Sequence, residues 1–314
     1  MGRRYGQPCE DTGAARAHEA GAVPPVDTLA IGASGAAVRK MIDSHHHLWK
    51  YNPNDYGWMT GEMESLRRDF LIPDLKPLMQ AAGVTGLVAV QARQTLQETE
   101  WLLELAAKHE EVRGVVGWAP LVEADVGEVL SKLAANRALK GVRHVLHDEP
   151  DEDYMLRPDF NNGVRQLGRF GLTYDILIFE KHLPQTVRFV RQHPEQVFIV
   201  DHIAKPRIRD GALSPWREGL MELASFANVY AKISGMVTEA RWHEWTAADL
   251  APYFDVVLNA FGPKRLMFGS DWPVVNLACD YQGWANVFCG FIGRLSPDEQ
   301  ERICTGTAAA VYRL

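Results

Sequence analysis

Met41-Ile42-Asp43-Ser44-His45-His46-His47 begins as a short apolar run and ends in three consecutive histidines. Far downstream stands Phe268-Gly269-Ser270-Asp271-Trp272-Pro273. In extended backbone alternate side chains share a face, so His45 and His47 point one way and His46 the other. If the fold joins the two segments, two imidazoles and one carboxylate meet at one pocket, an arrangement suited to activating water for attack on a carbonyl. Taken singly, each motif also has an ordinary reading, as a chance run of histidines or a common turn. Their combination in this order points to chemistry.

Outward from this stretch, short β-branched runs alternate with segments of helical period, the pattern of parallel strands joined by crossover helices. The strand runs are Met41-Ile42-Asp43, Val84 to Val90, Val112 to Gly117, Gly141 to Leu146, Leu172 to Ile178, Val197 to Val200, Val229 to Ile233 and Leu266 to Phe268. Between them, Glu98 to His109 and Pro184 to His193 carry apolar residues at helical spacing. Ser296-Pro297-Asp298-Glu299 reads as an N-cap with proline at the first helical position, opening a terminal helix through Val311.

Eight strand-helix pairs predict an α/β protein of the (β/α)8 TIM-barrel class. A doubly wound open sheet is the alternative, but no Gly-x-Gly-x-x-Gly follows the first strand. Residues 1–38, rich in Ala and Gly with Pro24-Pro25 and no sustained periodicity, are expected to be a disordered tail or an artefactual upstream start. Residues 39–314 then form a single catalytic barrel, close to the roughly 250 residues usual for that fold.

With 46% hydrophobic and 23% charged residues, the chain has the profile of a soluble globular protein. A net charge of −7 and a pI near 5.9 give no basic footprint for nucleic acid or an anionic membrane, which leaves a small molecule as the expected partner. No apolar run reaches the roughly 18 to 20 residues needed to span a bilayer. Cys9, Cys279, Cys289 and Cys304 show no zinc-binding spacing, and Arg3-Arg4 is not followed by a hydrophobic stretch, so a reduced, cytoplasmic protein is expected. Composition says nothing about oligomeric state.

In such a barrel the working face lies at the strand C-termini. Polar residues cluster there: His45 and His47, Gln91 and Arg93, Trp118, Arg143 and His144, Asp175, Glu180, Asp201 and His202, Lys232 and Ser234, and Asp271. Together with Ile42 to Trp49, Val90 to Arg93, Gly141 to Leu146, Asp201 to Pro206, Lys232 to Gly235 and Leu266 to Pro273, this order resembles the amidohydrolase superfamily. Within it the chain resembles the sugar-lactonase branch of L-fuconolactonase and L-rhamnonolactonase, related to pyrone-dicarboxylate lactonase. The resemblance implies a metal-dependent-hydrolase type of barrel, with His45 and His47 at metal-ligand positions. It also implies that His202 is the histidine after the sixth strand and that Asp271 handles the proton of the attacking water. Two departures stand out: no lysine ends strand four, and Tyr174-Asp175-Ile176-Leu177 offers no histidine on strand five. His182 is expected at the surface.

The site can therefore hold one zinc, ligated by His45, His47 and Asp271, or work without metal, since a lactone is an activated ester. The reaction expected is hydrolysis of a sugar-acid lactone to the open aldonic acid, with Asp271 as general base and His202 orienting it or serving as a fourth ligand. Asp201 is expected to be structural. Arg143 and His144 are expected near the carbonyl oxygen, with a salt bridge from Arg143 to the acidic stretch Asp148 to Asp153 as the competing role. Gln91 and Lys232 could bond sugar hydroxyls or serve the barrel itself. Trp118 and Trp272 are expected to stack on the sugar ring, and Trp58 to belong to a lid. The competing activities are zinc-dependent non-oxidative decarboxylation of an aromatic or unsaturated acid, and non-catalytic sugar-acid binding.

Overall fold

Runs such as Val84-Thr85-Gly86-Leu87-Val88-Ala89-Val90 are apolar on both faces, as strands buried between a barrel interior and surrounding helices must be. In the computed structural model, which describes residues 40–314, they form one parallel sheet ordered β1 to β8 along the chain. Its strands are β1 (Met41–His46), β2 (Val84–Val90), β3 (Val112–Gly117), β4 (Leu139–Val145), β5 (Thr173–Leu177), β6 (Phe198–Val200), β7 (Val229–Ile233) and β8 (Leu266–Phe268). The principal helices are α1 (Ile72–Ala81), α2 (Leu96–Lys108), α3 (Val126–Ala134), α4 (Pro158–Leu167), α5 (Leu183–Arg191), α6 (Trp216–Ala224), α7 (Ala247–Phe261) and α8 (Tyr281–Ile292). The fold is a (β/α)8 barrel, and the expected tail over residues 1–38 lies outside the described residues.

The ring closes through the histidine strand and the Phe268 to Pro273 segment. His47 N donates to Trp272 O at 2.6 Å, Asp271 N to His45 O at 2.8 Å, and Ser44 Oγ to Phe268 O at 2.5 Å. The buried Asp43 carboxylate adds a further stitch, accepting from Ser270 N at 2.9 Å and from Tyr281 of α8 at 3.0 Å. The seam between β8 and β1 thus joins the histidines to Asp271 by backbone bonds.

A small apolar cluster of Ile42, Val88, Val90, Val116, Ile199 and Met267 fills the barrel interior, while a larger one packs between sheet and helices. Ile42 and His45 both face inward although they stand three positions apart, which strict alternation forbids. The register of β1 against β2 slips between Asp43 and His46, and this irregularity re-aims the histidines.

The predicted terminal helix is broken in two. Ser296 caps α9 (Pro297–Glu301) in a reciprocal box with Glu299, a wide π turn spans Arg302–Gly306, and α10 (Thr307–Tyr312) follows. The turn carries the chain from the outer core, at Ile303 and Cys304, to the inner one, where Ala308 and Tyr312 plug the barrel. Among the described residues, no helix is long and apolar enough to cross a membrane.

Candidate active site

Each of three imidazoles has its Nδ1 occupied from behind. His47 Nδ1 lies 2.8 Å from Val90 O, His45 Nδ1 3.2 Å from Asp201 Oδ1, and His202 Nδ1 2.9 Å from Ser234 Oγ. An Nδ1–H donated to these oxygens leaves Nε2 of each ring with a lone pair. Those lone pairs converge. His45 Nε2 and His47 Nε2 are 3.3 Å apart, and Asp271 Oδ1 lies 3.4 Å from His47 Nε2, 3.8 Å from His45 Nε2 and 3.9 Å from His202 Nε2. His45, His47 and Asp271 thus present three acceptors to one point, which repel one another unless a cation stands between them, while His202 approaches the same carboxylate oxygen from the side. Bonds of about 2.0–2.1 Å in a tetrahedron imply ligand separations of roughly 3.3–3.4 Å, so among His45, His47 and Asp271 two of the three distances already match a zinc site. His45, His47 and Asp271 form one group able to hold a metal, and His45, Asp201 and His202 form an overlapping one.

Electrostatics agree with this donor set. Burial holds His45 and His202 well below the ordinary imidazole value, so both are neutral and able to ligate near neutral pH. Burial alone would raise the Asp271 carboxyl, but neighbouring His202, His47 and Lys205 outweigh it and keep the group ionised.

Beneath the histidines lies a charged network in the barrel interior. Lys232 Nζ is 2.5 Å from Asp175 Oδ2 and 3.0 Å from Asp201 Oδ1, while Arg143 Nη1 is 3.0 Å from Asp201 Oδ2 and 3.4 Å from His45 Nε2. Burial would raise Asp201, yet Lys232, His45 and Arg143 hold it well below the usual carboxylate range. Asp175 is pushed up instead, by burial and by the charge of Asp201. In keeping with the structural role expected of it, Asp201 is the carboxylate behind His45 Nδ1.

His202 reaches the centre from a segment that ordinary residues rarely adopt. His202, Ile203, Ala204 and Lys205 have φ of 52°, 49°, 63° and 46°, a single left-handed turn without glycine, and Asp271 has φ 60°. Each such residue costs roughly 1–2 kcal/mol and persists where surrounding structure enforces it. Gly235, at φ 64°, allows the turn to pack, since a Cβ there would stand 2.6 Å from His202 Nδ1. Gly235→Ala should therefore displace His202 and lower turnover on the order of a hundredfold, the usual effect of an ångström-scale misplacement. Steady-state kinetics beside a melting curve checks this, and an alanine variant with wild-type kcat would show that His202 placement is not limiting.

The centre forms one wall of a cavity of about 320 Å³, lined by His47, Arg143, His202 and Asp271. A larger, more open groove of about 730 Å³ adjoins it, sharing Thr238, Glu239 and Trp242, but contains none of the converging donors. Of the residues expected to touch substrate, only Arg143 lines the smaller cavity. Gln91 and Lys232 are wholly buried, with Lys232 neutralised by two carboxylates and Gln91 Nε2 bonded to Arg143 O at 3.3 Å. Trp118 donates its indole N–H to His144 Nδ1 at 3.3 Å, and His144 Nε2 lies 2.6 Å from Glu149. The acidic loop thus engages His144, whereas Arg143 turns inward to Asp201.

Trp272 follows Asp271 and points the other way, its ring edge-on to Phe70 at 5.2 Å. The lining tryptophans are Trp49, Trp58 and Trp242. Trp58 is 38% exposed, on the excursion pinned by the Trp49–Phe70 bridge. His182, expected at the surface, is buried, its Nδ1 accepting from Phe179 N at 3.2 Å. The sequence reading missed His147, Lys205, Glu239 and Trp242 as lining residues. Of these, Lys205 had a signal, standing three residues after His202.

An L-fucono-1,5-lactonase of Burkholderia multivorans is 40% identical over 284 residues, covering 87% of this chain and 96% of that protein. A second L-fucono-1,5-lactonase, from Burkholderia ambifaria, is 34% identical over 87% of this chain and 95% of its own length. A crystal structure of an amidohydrolase from Burkholderia multivorans with bound zinc superposes with a TM-score of 0.84 at 40% identity, covering 88% of this chain and all of that one. The family model described as amidohydrolase matches residues 42–314, from the histidine strand to the last residue of the barrel, and the chain belongs to that family.

Proposed function

We propose that this protein hydrolyses a sugar-acid lactone to the open aldonic acid at a centre holding one divalent cation, zinc by preference. The observation that carries the reading is the convergence of the His45 and His47 lone pairs on the ionised Asp271 carboxylate, with His202 beside it, at the wall of an aromatic cavity. Relatives named as L-fucono-1,5-lactonases at 34–40% identity give the substrate class its support. Decarboxylases also share the fold, at 13% identity, a likeness that speaks to architecture alone.

His45, His47 and Asp271 would hold the metal, with His202 beside the same carboxylate oxygen, and the metal when bound would supply Lewis acidity at an open position. Asp271 has a second oxygen beyond the one facing the imidazoles. Ionised, it takes the proton of water as that water attacks the lactone carbonyl, then returns a proton to the departing ring oxygen. Arg143, permanently charged and held by Asp201, faces the cavity where the carbonyl oxygen gathers negative charge. Trp58 and Trp242 offer ring faces to the apolar side of a sugar, with the buried Trp49 packed edge-on behind Trp58.

Acid release from a panel of aldonolactones, followed with a pH indicator before and after chelation, tests both parts. Protein purified without chelator should contain about one zinc per chain, and chelation should remove turnover that added zinc restores. Full activity at negligible metal content would discard the metal part while keeping the hydrolase. Absence of acid release across the panel would discard the lactonase reading.

A further inference from the structure

The left-handed turn that presents His202 also delivers Lys205 into the same cavity wall, where its Nζ lies 3.1 Å from Glu239 Oε1. Both side chains are largely shielded, at 19% and 21% exposure, and neither belongs to the converging donors of the metal centre. We propose that this Lys205–Glu239 pair determines specificity by reading a vicinal diol on the substrate ring, an inference that rests on the lactonase reading of the same cavity.

The rest of the wall narrows the choice. Trp58, Trp242, Val274 and Leu277 are suited to a C–H face rather than to hydroxyls. Thr238 already donates its hydroxyl to Gly235 O at 2.9 Å, and the His147 ring is stacked on Phe179 with its Nε2 3.4 Å from Asp148. Lys205 and Glu239 retain capacity after meeting each other: an ammonium has three donors and a carboxylate two acceptor oxygens. A gauche vicinal diol also has its two oxygens about one hydrogen-bond length apart. One hydroxyl accepts from Lys205 while its neighbour donates to Glu239, closing a four-atom polar ring in which every edge is a favourable contact. A substrate carboxylate placed there would meet the charge of Glu239, so the pair favours a neutral polyol over a dicarboxylate.

The test uses two non-hydrolysable lactams on the zinc-loaded protein, one with adjacent ring hydroxyls and one unsubstituted, with affinities measured by calorimetry. The wild type should prefer the dihydroxylated lactam, and Lys205→Met or Glu239→Gln should each reduce that preference about ten-fold, as loss of a hydrogen bond to a charged group does. The double variant should lose little more than the worse single one, because the two halves act together. Glu239→Gln is nearly isosteric and carries the test if Lys205→Met perturbs folding. A wild type without preference, or a preference untouched by Glu239→Gln, would overturn the proposal. Turnover of the matching lactones is scored separately: selective diol binding without acid release retires the lactonase reading and leaves the pair standing.

Discussion

Asp271→Asn should abolish lactone hydrolysis, lowering kcat by about a thousandfold or more. The carboxylate enters the proposed chemistry twice. Its Oδ1 lies 3.4–3.9 Å from three imidazole nitrogens, where an amide oxygen is a poorer partner for a cation. Its negative charge is also the base, a role whose loss alone typically costs about 10²–10⁴-fold. Asn preserves the shape, and it tolerates the φ of 60° at this position at least as well as Asp does. The seam bond from residue 271 N to His45 O belongs to the backbone and survives the change. Stability should therefore change little, separating a chemical defect from a folding one. Single-turnover kinetics, metal content and a melting curve on one preparation make the separation. A variant that keeps its metal and more than about a tenth of wild-type kcat would remove Asp271 as the base.

What the sequence disclosed followed local periodicity. The strands were legible because β-branched runs buried on both faces look alike in any barrel, and the pairing of His45 with His47 because the strand period is two. The meeting of Asp271 with those histidines was legible from two motifs read together. Side-chain direction beyond the strand ends was not. Position after a strand does not distinguish Trp272, which turns to Phe70, from Trp58, which lines the cavity. Nothing in His202-Ile203-Ala204-Lys205 announces a left-handed turn, since β-branched Ile203 disfavours it and no glycine marks it. Its placement of Lys205 beside Glu239 follows from tertiary packing alone. The partners of Asp201 were illegible for a related reason: His45, Arg143 and Lys232 come from three other strands.

That hub is where the second large effect is expected. Asp201→Asn should destabilise the fold by about 3–5 kcal/mol, the range for breaking a buried ion pair by removing one partner, and weaken metal binding about 10–100-fold. Lys232 retains Asp175 at 2.5 Å, so the deficit falls on Arg143, whose side chain is 4% exposed and whose carboxylate partner is Asp201. A buried lysine can escape such a deficit by shedding its proton; a guanidinium cannot. The metal effect has a separate origin. An amide at 201 accepts more weakly from His45 Nδ1–H, or presents its NH₂ and forces the other tautomer, which places a hydrogen where the Nε2 lone pair should face the cation. Urea unfolding of metal-free protein reads the first effect, and chelator competition on folded protein reads the second. If the urea midpoint falls while metal affinity holds, Asp201 serves Arg143 and Lys232 but does not set the His45 tautomer. If both stay at wild-type values, the network contributes neither stability nor alignment, and the convergence of imidazoles must be held by backbone alone.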